Sequence, residues 1–273
     1  MFKFSEIDFE SKTWNAVSAH PDKQLAKYNH PPVYHDSDFN AELSEYISGK
    51  SIALVGPGSH ITGKKYGNLI DSYDIVARIN QRSDISNKLK PDFGNRTNIL
   101  FSNYNRHSIN SHRKNIEYFK SIDFTVVSMV STTDGPMQEN FLKHIKKTYG
   151  TKYHNMDDRF ILNGFKKVGT TVNTGFMAII CLLNYDIREL FITGISFYNM
   201  GKMGNVYNDD YFDSDYVRKF STWNKDRLID AKQARLHDLH DQKSQITYFK
   251  HLLKKYYKNP ITLDEYLEEN FIK

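Results

Sequence analysis

The sequence predicts an α/β fold, a single domain organised on a mostly parallel central sheet. Three observations predict it. Ser51 to Asn80 reads as strand, glycine turn, short helix and second strand, with apolar runs at Ser51–Gly56 and Asp74–Ile79 and with Gly56, Gly58 and Gly63 punctuating the turn. Gly169 to Tyr198 reads as an apolar helix followed by a strand that stops at Gly194. Between them strand and helix patterns alternate with no internal repeat, as βαβ units do. In such a sheet, ligands bind outside the carboxyl ends of the strands.

Taken in order, residues 1–36 carry Pro21, Pro31 and Pro32 among scattered aromatics and read as an irregular arm. Ser37 to Gly49 reads as a helix, with Ser37 or Asp38 at its start, Leu43, Tyr46 and Ile47 on one face, and Gly49 to end it. The first βαβ unit follows. Gln81 to Arg96 is polar, contains Pro91 and Gly94, and reads as a loop. Thr97–Ser102 is the next strand and ends in the polar cluster Ser102-Asn103-Tyr104-Asn105. A helix is expected over Ser108–Lys120, a strand over Asp123–Met129, and a helix from Gly135-Pro136 to about Tyr149. Thr171 to Tyr185 is an apolar helix whose start holds Asn173, Thr174 and Gly175, with Thr174 able to cap it. Glu189–Thr193 is the strand ending at Gly194. Asn208 to Ser221 reads as a lid or acceptor loop. Leu236 to Tyr257 leads into a helix with Ile246, Phe249 and Leu252 on its apolar face, and Ile261–Phe271 reads as a closing helix capped by Thr262. The expected division of the single domain is 1–50 for arm and helix, 51–200 for the nucleotide-binding core, and 201–273 for the acceptor loop and a histidine-bearing helix.

Composition narrows the function classes. The 273 residues suffice for one sizeable core. A net charge of +5 suits phosphate-bearing or acidic substrates and an anionic membrane surface, but no nucleic-acid module accompanies it. The single cysteine, Cys181, lies in the apolar helix and reads as a small buried hydrophobe; an intrachain disulfide is impossible, which fits a reducing compartment. The N-terminal MFKFSEIDFESKTW lacks the apolar core of a signal peptide, and the longest apolar stretch, Thr174 to Asn184, is too short to span a bilayer. The expectation is a cytoplasmic protein with peripheral contact at the inner membrane face. Lys254-Lys255 reads as a solvated helix end or a membrane-facing one.

The glycine turn admits three readings. A dinucleotide fingerprint needs an earlier third glycine than Gly63 and an acidic residue where Asn80 ends the second strand. A P-loop fits Gly58, Gly63 and Lys64 but places Lys65 where a magnesium-holding Ser or Thr belongs. The third takes the whole stretch, V-G-x-G-S and then I-D-S-x-D-I-V-x-R-x-N, with Ile70-Asp71-Ser72, Asp74, Val76, Arg78 and Asn80 as its matched positions. This resembles the large sialyl motif of glycosyltransferase family 29, the sialyltransferases, and shares the strand–glycine turn–strand–Asn outline of the bacterial family 42 enzymes. The later [ST]-G-x-x-A, helix, strand, G-x-x-F-Y pattern resembles the small sialyl motif. The histidine segment resembles the family arrangement in which a catalytic histidine precedes a helix and an acid follows five positions on. Two registers fit: His240 with Gln245, and His237 with Gln242.

The resemblance covers roughly residues 51–105 and 169–253. It implies a Rossmann-like domain, a GT-A-like sialyltransferase variant that uses no metal ion and no cofactor. The donor would be CMP-sialic acid and the acceptor a glycan or glycolipid. Gly56, Gly58 and Ser59 would approach the phosphate or ribose through backbone and hydroxyl donors. Asn80 and Asn103 would bind the nucleotide; Asn173, Thr174 and Gly175 would meet the cytidine or the sugar carboxylate. Gly194 would permit close backbone approach, and Tyr198 and Tyr207 would hydrogen-bond the leaving phosphate. His240, or His237 in the other register, would be the base. Pro57 stands where the motif's turn usually has Asn, which keeps CMP-Kdo open as the donor. Gln at both fifth positions keeps open a non-catalytic nucleotide- or glycan-binding relic of the same fold. A two-histidine metal site with Asp238 and Asp241 finds no supporting H-E-x-x-H motif or cysteine, and Asp209-Asp210 and Asp213-Ser214-Asp215 fall after the small motif rather than before it.

Overall fold

The computed structural model describes residues 40–81, 83–128, 135–156, 158–168, 172–197, 242–258 and 260–272. Helix α1 (Ala41–Ile47) is capped by Asn40, whose Oδ1 accepts the Leu43 N–H at 2.8 Å, and ends before Gly49 in the left-handed region at φ +67. The expected caps Ser37 and Asp38 lie outside the described residues. Strand β1 (Ser51–Val55) leads through the glycine turn into a 3₁₀ turn at Ser59–Ile61, the short α2 (Gly67–Asp71) and β2 (Ile75–Ile79). Next come α3 (Lys90–Phe93), β3 (Ile99–Ser102), α4 (Arg106–Lys114), a 3₁₀ turn at Ile116–Ser121, and β4 (Phe124–Val127). Then follow α5 (Gly135–Tyr149), β5 (Lys152–Asn155), α6 (Asp158–Val168), α7 (Thr174–Leu182), β6 (Glu189–Thr193), α8 (Gln242–Tyr256), β7 (Ile261–Leu263) and α9 (Glu265–Phe271).

The sheet has seven strands in the order β5-β4-β3-β2-β1-β6-β7, with every neighbouring pair parallel. This is a single α/β domain. Strands β1 to β5 are laid down successively to one side; the chain then returns to set β6 and β7 on the other side of β1. The strand order therefore reverses between β1 and β6, and the carboxyl ends of these two strands form the switch point at which α/β sheets open a crevice.

Strands β1 and β2 are buried throughout, as a sheet covered on both faces requires. Their side chains alternate with period two. Ile52, Leu54, Ile75, Ala77, Ile99, Phe101, Phe124 and Val126 face one layer, with α1, α6, α7, α8 and α9. Ala53, Val55 and Val76 face α2 and α3, while Leu100 and Val127 face α4 and α5. Helix α7 is the central piece: Gly175 to Leu182 are all buried, so its composition is apolar all round. Burial pushes the Cys181 thiol up to about 12, so it packs as a hydrophobe.

Several boundaries depart from expectation. The stretch Gln81 to Arg96 contains α3, started by Pro91 at an early helical position and stopped by Gly94 at φ +73. The helix expected over Ser108–Lys120 is two elements, because Asn115 breaks it. Strand β5 and helix α6 follow Gly150 where no element was read. The cap of α7 is Asn173, whose Oδ1 accepts the Phe176 N–H at 2.8 Å; Thr174 is the first helical residue. The closing segment is not one helix capped by Thr262. Ile261–Leu263 is an edge strand paired with β6, and Asp264 caps α9. The third expected division thus supplies a strand to the same sheet as the second.

Candidate active site

The glycine turn owes its shape to close contact with the end of β6. Gly58 N–H donates to the Gly194 carbonyl at 2.7 Å, and Gly56 N–H donates to the Thr193 carbonyl at 2.8 Å. A Cβ on Gly56 would lie 2.3 Å from Gly194 O, one on Gly58 2.6 Å from the same oxygen, and one on Gly194 2.4 Å from Gly56 O. The three glycines are therefore required by one another. Their consequence for the expected phosphate contacts is direct: the Gly56 and Gly58 amides are already engaged within the fold. Nor does the turn run into a helix N-terminus open to an anion, because α2 begins at Gly67, where an added Cβ would lie 2.2 Å from the Lys90 carbonyl oxygen packed against it. Lys64, the lysine of the P-loop reading, pairs at the surface with Glu265 at 3.0 Å.

Asp264, between β7 and α9, fastens this junction. Its Oδ2 accepts from Thr193 Oγ1 at 2.8 Å and from Gly194 N–H at 3.0 Å, and lies 3.3 Å from His60 Nε2; its Oδ1 accepts the Leu267 N–H at 2.9 Å. His60 and Asp264 are both buried, and the His60 ring stacks on Tyr266 at 4.3 Å. One carboxylate thus joins β6, β7, α9 and the residue after the glycine turn. Burial alone would raise its pKa, but the His60 hydrogen bond and charge, with the Leu267 N–H and Thr193 hydroxyl, hold it below the ordinary carboxylate value. A depressed folded-state pKa stabilises the fold above the unfolded value, near pH 4, and that contribution is lost as pH falls through the folded value. Asp264→Asn is accordingly expected to cost about 1–3 kcal/mol at pH 7, with the gap to wild type closing as pH falls below about 4. Urea unfolding at pH 7 and pH 3 measures this; a gap independent of pH would rule out the charge as its cause.

Most of the specific residues of the first motif are scaffolding. The Asp71 carboxylate accepts the backbone N–H groups of Asn95 and Arg96, and Asp74 Oδ2 accepts the Ser51 N–H and hydroxyl and the Arg188 guanidinium. Arg78 is buried and donates to the carbonyls of Phe93 and Arg96 and to Thr97 Oγ1. The Asp71 and Arg78 bonds hold the 90–98 segment against α2 and β2, and those of Asp74 join the start of β2 to β1 and to Arg188. Asn80 differs. It stands just past the carboxyl end of β2, half-buried, at φ +51, and its Oδ1 accepts the Asn103 N–H at 3.3 Å. A left-handed non-glycine residue at a strand end is a backbone conformation that functional sites often hold.

The second motif meets the first here. A Cβ on Gly175 would lie 3.3 Å from Ile79 and 4.0 Å from Ile195, so the start of α7 sits over the carboxyl ends of β2 and β6. The structure brings Gly56, Gly58, Ser59, Asn80, Asn103, Asn173, Thr174, Gly175 and Gly194 to one edge of the sheet. Phe197, at φ +48, packs on Phe176, Phe249 and Phe271 at 4.8–5.6 Å between ring centres, linking α7, α8 and α9 just past that edge. Gln245 is buried and its Oε1 accepts the Asn173 N–H at 3.2 Å, which holds the first turn of α8 against the start of α7. His237, His240, Tyr198 and Tyr207 lie outside the described residues, as do Asp209, Asp210, Asp213, Asp215, Asp238 and Asp241. Among the described residues no group of three His, Cys, Asp or Glu could hold a metal ion, and no helix is long and apolar enough to cross a membrane.

Sequence reasoning missed His60, Asp264 and the anchoring use of Gln245. The signal for Asp264 was present, since Asp264-Glu265 opens a helical pattern as an N-cap should. Nothing in the sequence indicates that the same carboxylate reaches Gly194.

The model of glycosyltransferase family 29 (sialyltransferase) matches residues 9–183. No curated protein matches the chain in sequence. Among solved structures, the chain is similar to a mammalian sialyltransferase in complex with Gal-beta-1-3GalNAc-ortho-nitrophenol, at 15% identity and a TM-score of 0.48, over 96% of this chain and 89% of that one. It is also similar to the sialyltransferase CstII from Campylobacter jejuni in complex with cytidine-5'-monophosphate, at 20% identity and a TM-score of 0.45, over 82% of this chain and 84% of that one.

Proposed function

The chain belongs to glycosyltransferase family 29, the sialyltransferases, and from that premise we propose that it transfers sialic acid from CMP-sialic acid to a hydroxyl of an acceptor glycan or glycolipid, with inversion and without a metal ion. The observation that carries the reading is the meeting of both motifs at the sheet's carboxyl edge, with Asn80 bonded to Asn103 and the α7 start packed over β2 and β6. Asn80 and Asn103 face the nucleotide, and Thr174 and Gly175, at the first turn of α7, meet the cytidine or the sugar carboxylate, where a helix N-terminus favours an anion. Ser59 serves the phosphate or ribose. Tyr198 and Tyr207 hydrogen-bond the departing phosphate in place of a metal ion. His240, with His237 as the alternative register, takes the proton of the attacking hydroxyl. The protein works in the cytoplasm, with peripheral contact at the inner membrane face.

Two observations favour further readings. Pro57 in the turn favours CMP-Kdo as an alternative donor. Gln242 and Gln245 at the fifth positions favour a non-catalytic relic that binds CMP alone. Thermal unfolding with CMP, NAD and ATP in parallel tests the donor class: stabilisation by CMP alone is expected, and stabilisation by NAD alone would end the transferase reading. CMP release from CMP-sialic acid, compared with CMP-Kdo across a panel of galactose-terminated acceptors, then separates enzyme from relic.

A further inference from the structure

We propose that the exposed face of α8 docks the protein on a bilayer with anionic headgroups and holds the donor edge of the sheet at that surface; the inference deepens, and rests on, the membrane contact proposed above. Helix α8, QKSQITYFKHLLKKY, contains no Asp or Glu. Its inner side buries Gln245, Tyr248, Phe249, Leu252 and Leu253. Its exposed positions are Lys243, Thr247, Lys250, His251, Lys254 and Lys255. At 3.6 residues per turn, Lys243, Lys250 and Lys254 fall within about 40° of one another, in a straight row about 16 Å long.

Helix stability does not account for this row. Lys254 and Lys255, in the last turn, suit the negative end of the helix dipole, but Lys243 stands in the first turn, where a cation is disfavoured. Lys250 and Lys254 are four positions apart, a like-charge spacing that destabilises a helix. Several surface lysines elsewhere sit beside acids: Lys64 with Glu265 at 3.0 Å, Lys143 with Glu139 at 2.6 Å, and Lys120 with Glu117. Among the described residues, Lys243, Lys250 and Lys254 have no such acidic partner. The neighbouring α9 carries Glu265, Glu268 and Glu269, but Glu265 is paired with Lys64 and Glu268 accepts the Tyr257 hydroxyl at 2.6 Å. Three ammonium groups thus share one outward face.

Geometry and charge select the partner. A straight row along a convex helix meets a plane over its whole length, whereas a small anion would engage one lysine at a time. An anionic bilayer is such a plane, and each lysine held near it strengthens binding by about fivefold. The placement of α8 links this contact to the site. Its first turn is tied to the start of α7 by the Gln245–Asn173 bond, at the carboxyl edge of the sheet. The helix then runs back toward the amino edge, from which β7 sets out parallel to β6. One end of the docking face therefore lies beside the donor edge, where an acceptor glycolipid of the same bilayer would be presented.

The test is co-sedimentation of the full chain with phosphatidylcholine vesicles and with vesicles that also contain phosphatidylserine, at low and high salt. The row variant is K243Q/K250Q/K254Q; the control, K120Q/K143Q/K152Q, removes the same charge from lysines that lie beside acids. Wild type is expected to bind the anionic vesicles, to ignore the neutral ones and to be released by salt. The row variant should bind about a hundredfold more weakly, and the control close to wild type. Turnover on a soluble acceptor should be unchanged in the row variant, while turnover on an acceptor glycolipid in anionic vesicles falls. Equal binding by wild type and the row variant, or an equal loss in the control, would overturn the inference and leave the membrane contact standing. A loss of turnover on the soluble acceptor would also overturn it, by placing the row in the site. Wild type retained on heparin but on no vesicle would overturn it in favour of a soluble polyanion. Wild type that binds neither would remove the membrane contact, and this docking face with it, without touching the transferase reading.

Discussion

Gly194→Ala is expected to lower stability by roughly 4 kcal/mol or more, enough to leave little folded protein from a total of about 5–15 kcal/mol. Two effects add. Gly194 holds φ +68, where a residue with a Cβ loses about 1–2 kcal/mol. The added Cβ would also lie 2.4 Å from the Gly56 carbonyl oxygen, a backbone atom that cannot swing aside as a side-chain tip can. Relief requires β1 and β6 to part at their carboxyl ends. That breaks the 2.7 Å bond from Gly58 N–H to the Gly194 carbonyl and disturbs the Gly194 N–H donated to Asp264. Each buried group left unpaired costs a further 1–3 kcal/mol or so. Gly63→Ala is the control: φ is +82, but nothing lies within 4 Å of the new atom. It should cost only the conformational penalty of about 1–2 kcal/mol. Urea denaturation of the two variants checks the difference, and similar losses in both would show that interlocking backbone is not what the site's geometry depends on.

That interlock bears on how much of the site could be read in the sequence. Apolar runs and glycine punctuation marked β1, β2 and β6 well, because each is a local pattern with a local cause; the strand order, with its reversal between β1 and β6, is not local and was not read. The matched positions of the first motif identified the family, yet Asp71, Asp74 and Arg78 are bonded to the 90–98 segment, to Ser51 and to Arg188 rather than turned toward a ligand edge. A pattern of residue types does not separate a carboxylate that holds a loop from one that meets a substrate. The glycines were read as making room for a phosphate, and they make room first for each other. Such a contact joins residues more than a hundred positions apart, so no spacing along the chain reveals it. The same holds for Asp264. Its side chain was hidden in a segment whose helical periodicity, Leu267 to Phe271, extended the apparent helix back over an edge strand only three residues long.

His240→Ala should lower kcat for sialyl transfer by about 10²- to 10⁴-fold, the usual contribution of a positioned general base, with the dissociation constant for CMP within about twofold of wild type. His237→Ala should leave turnover within a few fold; the reverse pattern would assign the base to the other register, and unchanged turnover in both variants would remove a histidine base from the mechanism. The structural support for this segment is Gln245. At the fifth position after His240 the resembled arrangement has an acid, which would raise the histidine's basicity. Here a buried amide accepts the Asn173 N–H and so ties α8 to the helix start on which the donor is proposed to rest. Under the proposed mechanism Gln245 would lack the carboxylate's effect on the base, while its amide holds α8 to the start of α7. Gln245→Ala should separate the two roles. It leaves the Asn173 N–H unpaired, costs about 1–3 kcal/mol in stability, and loosens both donor affinity and turnover. Gln245→Glu retains an acceptor for Asn173, so the donor should still bind, and a gain in turnover over wild type would show that the missing carboxylate had been limiting the base.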